Sequence, residues 1–199
     1  FEIQLTRNIK ARLSDYANLT YNRLHDGLFI KLNGEDYSLI KEDLKQVFGY
    51  SYFSGALICS KDLEEAKVLA QSLVENKGYK TFKVKTKRHD KSYPMHSDDI
   101  NRAIAGHILH NTDLLVDVHN PDIMLYLSVD KDCIYIMDEK VRGAGGYPTG
   151  INGKAMVMMS GGIDSPVAAY MTMKRGLRIE CIHFASMPYT SEQALQKVF

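Results

Sequence analysis

Apolar residues recur along this chain with two different periods, and the alternation between them lays out most of the elements. Ile3, Leu5, Ile9, Leu13 and Tyr16 fall at helical spacing, with Arg7, Lys10 and Arg12 between them, which predicts a helix over 2–16. A strand is expected near 19–25. Asp26-Gly27 is a tight-turn signal, and 28–32 reads as the return strand. After a turn at Asn33-Gly34, Tyr37, Ile40, Leu44, Val47 and Phe48 return to helical period over 36–48, and Gly49 suits the helix end. Residues 50–59 read as one aromatic, apolar strand.

Ser60 resembles a helix cap, with Glu64 one position beyond the usual capping-box acid. A helix over 61–76 should follow, closed by Asn76 and Gly78. Residues 82–87 alternate like a strand, 97–111 are helical with Ser97 as cap, and short strands are expected near 114–118, 122–129 and 133–138. Gly143, Gly145, Gly146, Pro148, Gly150 and Gly153 crowd into 142–153, the best linker candidate. A strand at 154–159, a Gly-rich loop at 160–165, a helix at 166–175, a strand at 178–184 and a helix start at 191–199 then open a parallel α/β sheet.

The first five elements run helix, strand, strand, helix, strand. A ferredoxin-like unit runs βαββαβ, so only an opening strand is missing. The chain starts at Phe1 inside one predicted helix and stops at Phe199 inside another, so truncation at both ends is expected. The fold class expected is α+β for the leading units, followed by the start of an α/β domain. The boundaries drawn are 1–58, 59–148 and 149–199, with the middle unit beginning as early as 36 and ending near 140 on a wider reading.

Composition changes this picture little. Charged residues are 25% and hydrophobic residues 45% of 199, ordinary for a globular protein, and no apolar run approaches the roughly 18 residues that span a bilayer. Lys+Arg is 25 against 24 Asp+Glu, so net charge names no partner. Cys59, Cys133 and Cys181 are odd in number, lack CxxC spacing and sit in strand-like runs, so buried free thiols are expected. No secretory signal is evident, and the cytoplasm is the default location.

Charge clustering is more telling. Lys80, Lys83, Lys85, Lys87, Arg88 and Lys91 face only Asp90, a local charge of +5. Lys83, Lys85 and Lys87 share one strand face, with Phe82 and Val84 on the other. Such a face suits a phosphate backbone, or is a solvated edge that lysines protect from aggregation. Arg88, His89 and Tyr93 extend the patch, and Tyr93 either stacks or packs. His107, His110 and His119 suggest a metal site only weakly, because further ligands are missing.

The sharpest feature is the strand from Lys154 running into Ser160-Gly161-Gly162-Ile163-Asp164-Ser165 and Pro166. Paired glycines let backbone approach an anion closely. The loop feeds a helix N-terminus, which favours phosphate, and Pro166 fits the first helical position. The loop lacks both the Lys of a P-loop and the GxGxxG of a dinucleotide site.

SGGxDS after an apolar strand resembles the PP-loop of ATP pyrophosphatases. With the continuation through Gly176 and with Arg142-Gly143-Ala144-Gly145-Gly146 upstream, the chain closely resembles the tRNA 4-thiouridine synthetase (ThiI) family. In that family a ferredoxin-like domain, an RNA-binding THUMP domain and a PP-loop domain follow in this order. The resemblance implies ATP contacts at Met158, Met159, Ser160, Gly161, Gly162, Asp164, Ser165, His183 and Phe184, with Asp164 either binding Mg²⁺ or capping the helix. It implies tRNA contacts at Lys80, Lys83, Lys85, Lys87, Arg88, Lys91 and Arg142. The implied reaction is adenylation of uridine 8 of tRNA, then its replacement by persulfide sulfur to give 4-thiouridine, with sulfur also supplied for thiamine thiazole synthesis. Implied partners are tRNA, a cysteine desulfurase, the thiamine sulfur-carrier protein and a second copy in a homodimer, with no membrane. Relay cysteines are expected beyond Phe199, so the 199-residue chain alone is expected to be inactive. The alternatives are a stand-alone tRNA-binding module and another PP-loop ligase, such as a 2-thiouridine or amidating synthetase.

Overall fold

The computed structural model describes residues 1–24, 27–185 and 196. The turn residue Asp26 and the helix expected over 191–199, Gln196 apart, lie outside the described residues. In chain order the elements are α1 (Glu2–Arg12), β1 (Thr20–Leu24), β2 (Gly27–Lys31), α2 (Tyr37–Lys45), β3 (Tyr52–Phe53), β4 (Leu57–Cys59), α3 (Leu63–Val74), β5 (Thr81–Arg88), α4 (Ser97–Asn111) and β6 (Leu115–Val116). They continue as β7 (Ile123–Val129), β8 (Ile134–Met137), β9 (Val141–Arg142), β10 (Lys154–Met158), α5 (Asp164–Lys174) and β11 (Arg178–Ile182). Phe1–Phe53 and the chain from Val141 onward make one unit, and Ser54–Lys140 makes the other. The architecture is α+β, leading into a βαβ start.

In the first unit, helical spacing puts Ile9 and Leu13 of the α1 face against Ile40, Leu44 and Val47 of the α2 face. Leu28 and Ile30 of the antiparallel β1–β2 hairpin close the cluster. Fully burying each such side chain contributes roughly 1.5–3 kcal/mol. Asp36 caps α2, its carboxylate accepting the Ser38 N–H at 2.6 Å.

In the second unit, five strands lie in the order β4-β8-β7-β5-β6. Ile123, Leu125, Leu127 and Val129 alternate along β7 into a core with Phe82 and Val84 of β5. Ala66, Ala70 and Val74 of α3 and Ile100, Ile104 and Ile108 of α4 join the same core, so both helices cover one face. The other face carries no helix of this unit.

Three local expectations change. The strand expected over 50–59 is two strands: it breaks at Ser54-Gly55-Ala56, where β3 pairs with β9 and β4 with β8. A glycine interrupts side-chain packing along a strand and allows that change of partner. The cap of α3 is Asp62, whose carboxylate accepts the Glu64 N–H at 2.9 Å, while the Ser60 hydroxyl is taken by Glu65. Ser97 is the first residue of α4, after His96.

The glycine-rich stretch is not a free linker. The N–H groups of Gly143 and Gly145 donate to Ser51 and Tyr50 carbonyls at 2.9 and 3.1 Å, and Gly49 returns a bond to the Gly145 carbonyl. Tyr147 N–H donates to the Lys174 carbonyl, and Gly150 and Asn152 donate to Gly176. Gln4 and Asn8 amides reach the Thr149 carbonyl at 3.2 and 3.0 Å. The segment straps the α1–α2 core to the end of α5. Gly146 has φ +73°, and a Cβ there would meet the Lys174 carbonyl oxygen at 2.3 Å.

The cysteine expectation is corrected in two of three cases. Cys59 is buried, but Cys133 is half-buried beside the β7–β8 turn and Cys181 is exposed. Among the described residues, the sheet that carries Cys181 holds β10 and β11.

Candidate nucleotide loop and nucleic-acid face

The parallel strands β10 and β11, with α5 between them, place the loop Ser160–Ser165 at their carboxyl ends. That is where open α/β sheets receive ligands. The loop is braced by its serines. Ser160 N–H donates to Ser165 Oγ at 3.0 Å, and the two hydroxyls lie 3.3 Å apart. Gly162 N–H reaches Ser160 Oγ at 3.4 Å. Both residues brace the loop as well as offering hydroxyls to a ligand.

The helix starts earlier than expected. Ile163 occupies the N-cap without a side-chain bond and is 79% exposed, Asp164 is the first helical residue, and Pro166 is the third. The proline still sits in the first turn, where its missing N–H leaves no bond unmade. With an apolar cap, the first-turn N–H groups keep no side-chain partner and favour an anion.

The ends of the two strands are tied together. Met159 N–H donates to the Ile182 carbonyl at 2.8 Å, and His183 Nδ1–H donates to the Met159 carbonyl at 2.8 Å. That bond fixes the proton on Nδ1 and leaves Nε2 as an acceptor. Nε2 is buried, and no partner for it is found among the described residues. Met158 and Phe184 stand 70% and 71% exposed at the same strand ends. An adenine nucleotide fits this set: apolar side chains for the base, a buried acceptor, and N–H groups for phosphate. Among the described residues no three metal-capable side chains gather. Asp164 with the serine hydroxyls suits Mg²⁺ carried on phosphates, since that ion takes one or two carboxylates and keeps other oxygen ligands.

The thiols divide by environment. Burial pushes the Cys59 thiol up to about 11, so it is protonated at neutral pH and a poor sulfur nucleophile.

The basic patch also divides. Lys83, Lys85 and Lys87 share the helix-free face of β5. Lys83 Nζ donates to the Val118 carbonyl at 2.8 Å, while Lys85 and Lys87 are exposed. Lys80 and Lys91 are exposed just outside the strand. β6 covers only Thr81 and Phe82, so the rest of β5 also runs along a side without a strand among the described residues. Arg88 has the other parity. Its guanidinium donates to the Tyr93 and Met95 carbonyls at 3.1 and 2.9 Å, shaping the 89–96 loop rather than joining the lysines. Tyr93 is 8% exposed and packs into the core. Arg142 lies exposed on β9, in the other unit. His107 and His110 lie on α4, and His119 follows β6.

Two features are not visible in the sequence. Asp122 joins the starts of β5 and β7, its carboxylate accepting the Lys80 and Thr81 N–H groups at 2.9 Å each. Tyr126 stands on the lysine face, in register with Lys85. The alternation of Ile123–Val129 was a signal for Tyr126, but its neighbour required the strand pairing.

Hydrogen bonds set the acid sensitivity of this unit. Bonding from Lys61 and Ser92 holds Asp90 far below the usual carboxylate range, and backbone N–H donors lower Asp117 and Asp122. A depressed folded-state pKa contributes stability above the unfolded value of about 4, which is lost as pH falls through the folded value. Thermal melts should therefore drop below about pH 4, and Asp122→Asn should narrow the gap between pH 7 and pH 3 melting. An unchanged gap would show that the Asp122 clamp contributes nothing.

Three family models match consecutive stretches: the ThiI ferredoxin-like domain over 1–54, the THUMP domain over 60–138, and the thiamine biosynthesis protein (ThiI) over 150–199. The chain belongs to the ThiI family. A relative of this ThiI-family chain, the "Probable tRNA sulfurtransferase" of Bacillus licheniformis, is 50% identical over 202 residues, covering 100% of this chain and 50% of the relative. A crystal structure of a 4-thiouridine synthetase–RNA complex with bound ATP superposes with TM-score 0.89 at 37% identity, covering 100% of this chain and 51% of the other. PH1313 from Pyrococcus horikoshii Ot3 superposes with TM-score 0.87 at 25% identity, over 99% and 67% of the two chains. The chain thus spans about half the length of the curated relative it matches. No helix among the described residues is long and apolar enough to cross a membrane.

Proposed function

We propose that this chain is the RNA-binding and ATP-binding part of a cytoplasmic tRNA sulfurtransferase that makes 4-thiouridine at position 8. The observation that carries the reading is the loop Ser160–Ser165, held at the carboxyl ends of two parallel strands and opening onto the uncapped N-terminus of α5. The match to a 4-thiouridine synthetase solved with RNA and ATP supports the same assignment.

In this reading Met158, Met159 and Phe184 flank the adenine, and His183 Nε2 accepts a hydrogen bond from the nucleotide. Gly161, Gly162 and the first-turn N–H groups hold the phosphates, with Ser160 and Ser165 keeping the loop in shape. Asp164 would hold Mg²⁺, which when bound would neutralise negative charge that develops on the phosphates. Fixed N–H donors aimed at the phosphates lower the barrier without reorganising. Activation of the uridine oxygen by adenylation turns a poor leaving group into AMP. The terminal sulfur of a cysteine persulfide, charged by a cysteine desulfurase, then attacks C4 and expels AMP; a second cysteine thiol of the longer protein cleaves the resulting S–S bond, leaving the thiocarbonyl on the tRNA and a cysteine disulfide that a cellular thiol reduces. The same persulfide also serves thiazole synthesis through the thiamine sulfur-carrier protein. Lys80, Lys83, Lys85, Lys87 and Lys91 hold the tRNA backbone, and Arg142 adds a contact from β9. Arg88 acts indirectly, by shaping the 89–96 loop.

The test uses the longer protein that carries this chain, with tRNA, a desulfurase, cysteine, ATP and Mg²⁺. Near-ultraviolet absorbance of the recovered tRNA should report 4-thiouridine at position 8, dependent on ATP and reduced at least about a hundredfold in Asp164→Ala. Thiolation at another uridine would favour a different PP-loop thiolase. Thiolation without ATP would overturn the reading.

A further inference from the structure

The helix that opens onto the phosphate loop is held from its far end. α5 runs over 11 residues, about 16 Å at roughly 1.5 Å each. The last carbonyls of a helix find no N–H within it, and here the strap supplies donors. Tyr147 N–H donates to the Lys174 carbonyl at 2.9 Å, and the Gly150 and Asn152 N–H groups donate to the Gly176 carbonyl at 2.9 and 3.0 Å. Asn152 bonds a second time: its side-chain Nδ2–H donates to the Arg175 carbonyl at 2.7 Å. Along the flank of α5, the Tyr170 ring meets Phe48 edge to face, with centroids 5.0 Å apart. Phe48 is buried just beyond α2, and Ala169 beside Tyr170 is buried too. Asn152 precedes β10, at the amino ends of the strands, whereas the loop Ser160–Ser165 lies at their carboxyl ends. Asn152 is therefore a strand's length away from a nucleotide held in the loop.

We propose that Asn152 and Tyr170 are positioning residues for the nucleotide, seating α5 on the α1–α2 core so that its first-turn N–H groups point at the phosphates; this rests on the ATP reading above. The serine brace shapes the loop, but the N-cap Ile163 makes no side-chain bond that would fix the direction of the helix. The direction is set from behind. A rod of this length that swings about 10° on its far end moves its tip by about 3 Å, enough to break every N–H···O bond it aims. Fixed donors help a reaction only if they are in place beforehand. The contacts form a continuous path. Gln4 and Asn8 of α1 hold the Thr149 carbonyl, Asn152 holds the end of α5, and Phe48 holds its flank. The α1–α2 core thus belongs to the ATP-binding machinery, although none of its residues touches ATP.

The test measures thiolation by the longer protein as a function of ATP concentration, with saturating tRNA and below the melting temperature of each variant. Asn152→Asp keeps the shape and sets a carboxylate against the Arg175 carbonyl, at the negative end of the helix dipole. Tyr170→Leu keeps apolar bulk and removes the ring pair. Each should raise the KM for ATP about tenfold and leave tRNA affinity unchanged. A merely structural role would not produce this pattern, because an unfolded fraction lowers kcat and leaves KM where it was. Tyr170→Phe, which retains the ring, should restore the original KM. ATP-dependent thiolation with an unchanged KM in both variants overturns the positioning role and leaves the ATP reading standing. A KM raised as much by Tyr170→Phe as by Tyr170→Leu also overturns it for Tyr170. Thiolation by the unaltered protein without ATP removes both ideas.

Discussion

Charge reversal at Lys83, Lys85 and Lys87 lowers tRNA affinity by on the order of a hundredfold at physiological salt. The three share the helix-free face of β5, and each phosphate they neutralise releases a counterion. Losing them should flatten the plot of log affinity against log salt by roughly 2–3 in slope, three contacts at about 0.7–0.9 each. Lys83 also bonds the Val118 carbonyl, so its reversal perturbs the β6 side as well. Lys85 and Lys87 have no such bond among the described residues, and reversing only these two should retain most of the loss. Filter binding across a salt series measures both quantities. Unaltered affinity and slope would move the RNA surface elsewhere and favour a PP-loop ligase that does not use this strand.

A methyl group at Gly146 should be the most damaging small change in the first unit. The backbone there has φ +73°, and the new Cβ would lie 2.3 Å from the Lys174 carbonyl oxygen, which itself accepts the Tyr147 N–H. Gly145 supplies an internal control. It has φ +69°, but nothing lies within 4 Å of the place a Cβ would take. Gly145→Ala therefore carries only the left-handed strain, about 1–2 kcal/mol. Gly146→Ala adds a clash with backbone that has no room to yield, for a total of roughly 3–5 kcal/mol. Calorimetry should show Gly146→Ala melting at least about 10 °C lower, with the transition of the second unit unmoved. Equal effects of the two substitutions would mean the strap does not bear on Lys174.

Much of this was legible in the chain because local periodicity and local need agreed. The helices of α1, α2, α3 and α4 follow from their apolar spacing, and the parity of Lys83, Lys85 and Lys87 follows from a period of two. The βα loop at 160–165 was legible because paired glycines stand between an apolar strand and a helix start. What was not legible depended on contacts that only the folded chain makes. The run 50–59 looks like one strand, since nothing local says that its two halves pair with Val141–Arg142 and Ile134–Ile136. Arg88 carries the same charge as its neighbours, and only the return of the chain through Tyr93 and Met95 occupies it. Gly143–Gly153 has a linker's composition, yet a Cβ at Gly143 or Gly146 would run into Tyr50 or Lys174, and Gly145, Gly150 and Gly153 hold left-handed backbone in a bonded strap. Cys181 has a buried strand's sequence, yet it is exposed among the described residues.

The pairing of β3 with β9 has a topological consequence. Phe53 and Val141 are in register on adjacent antiparallel strands, about 5 Å apart, so the chain departs for Ser54–Lys140 and returns through the same doorway. The THUMP-type portion is thus a guest inserted into a host whose two halves are continuous in space. Replacing 54–140 by a short hairpin turn should leave the host able to fold with its strap and phosphate loop in place.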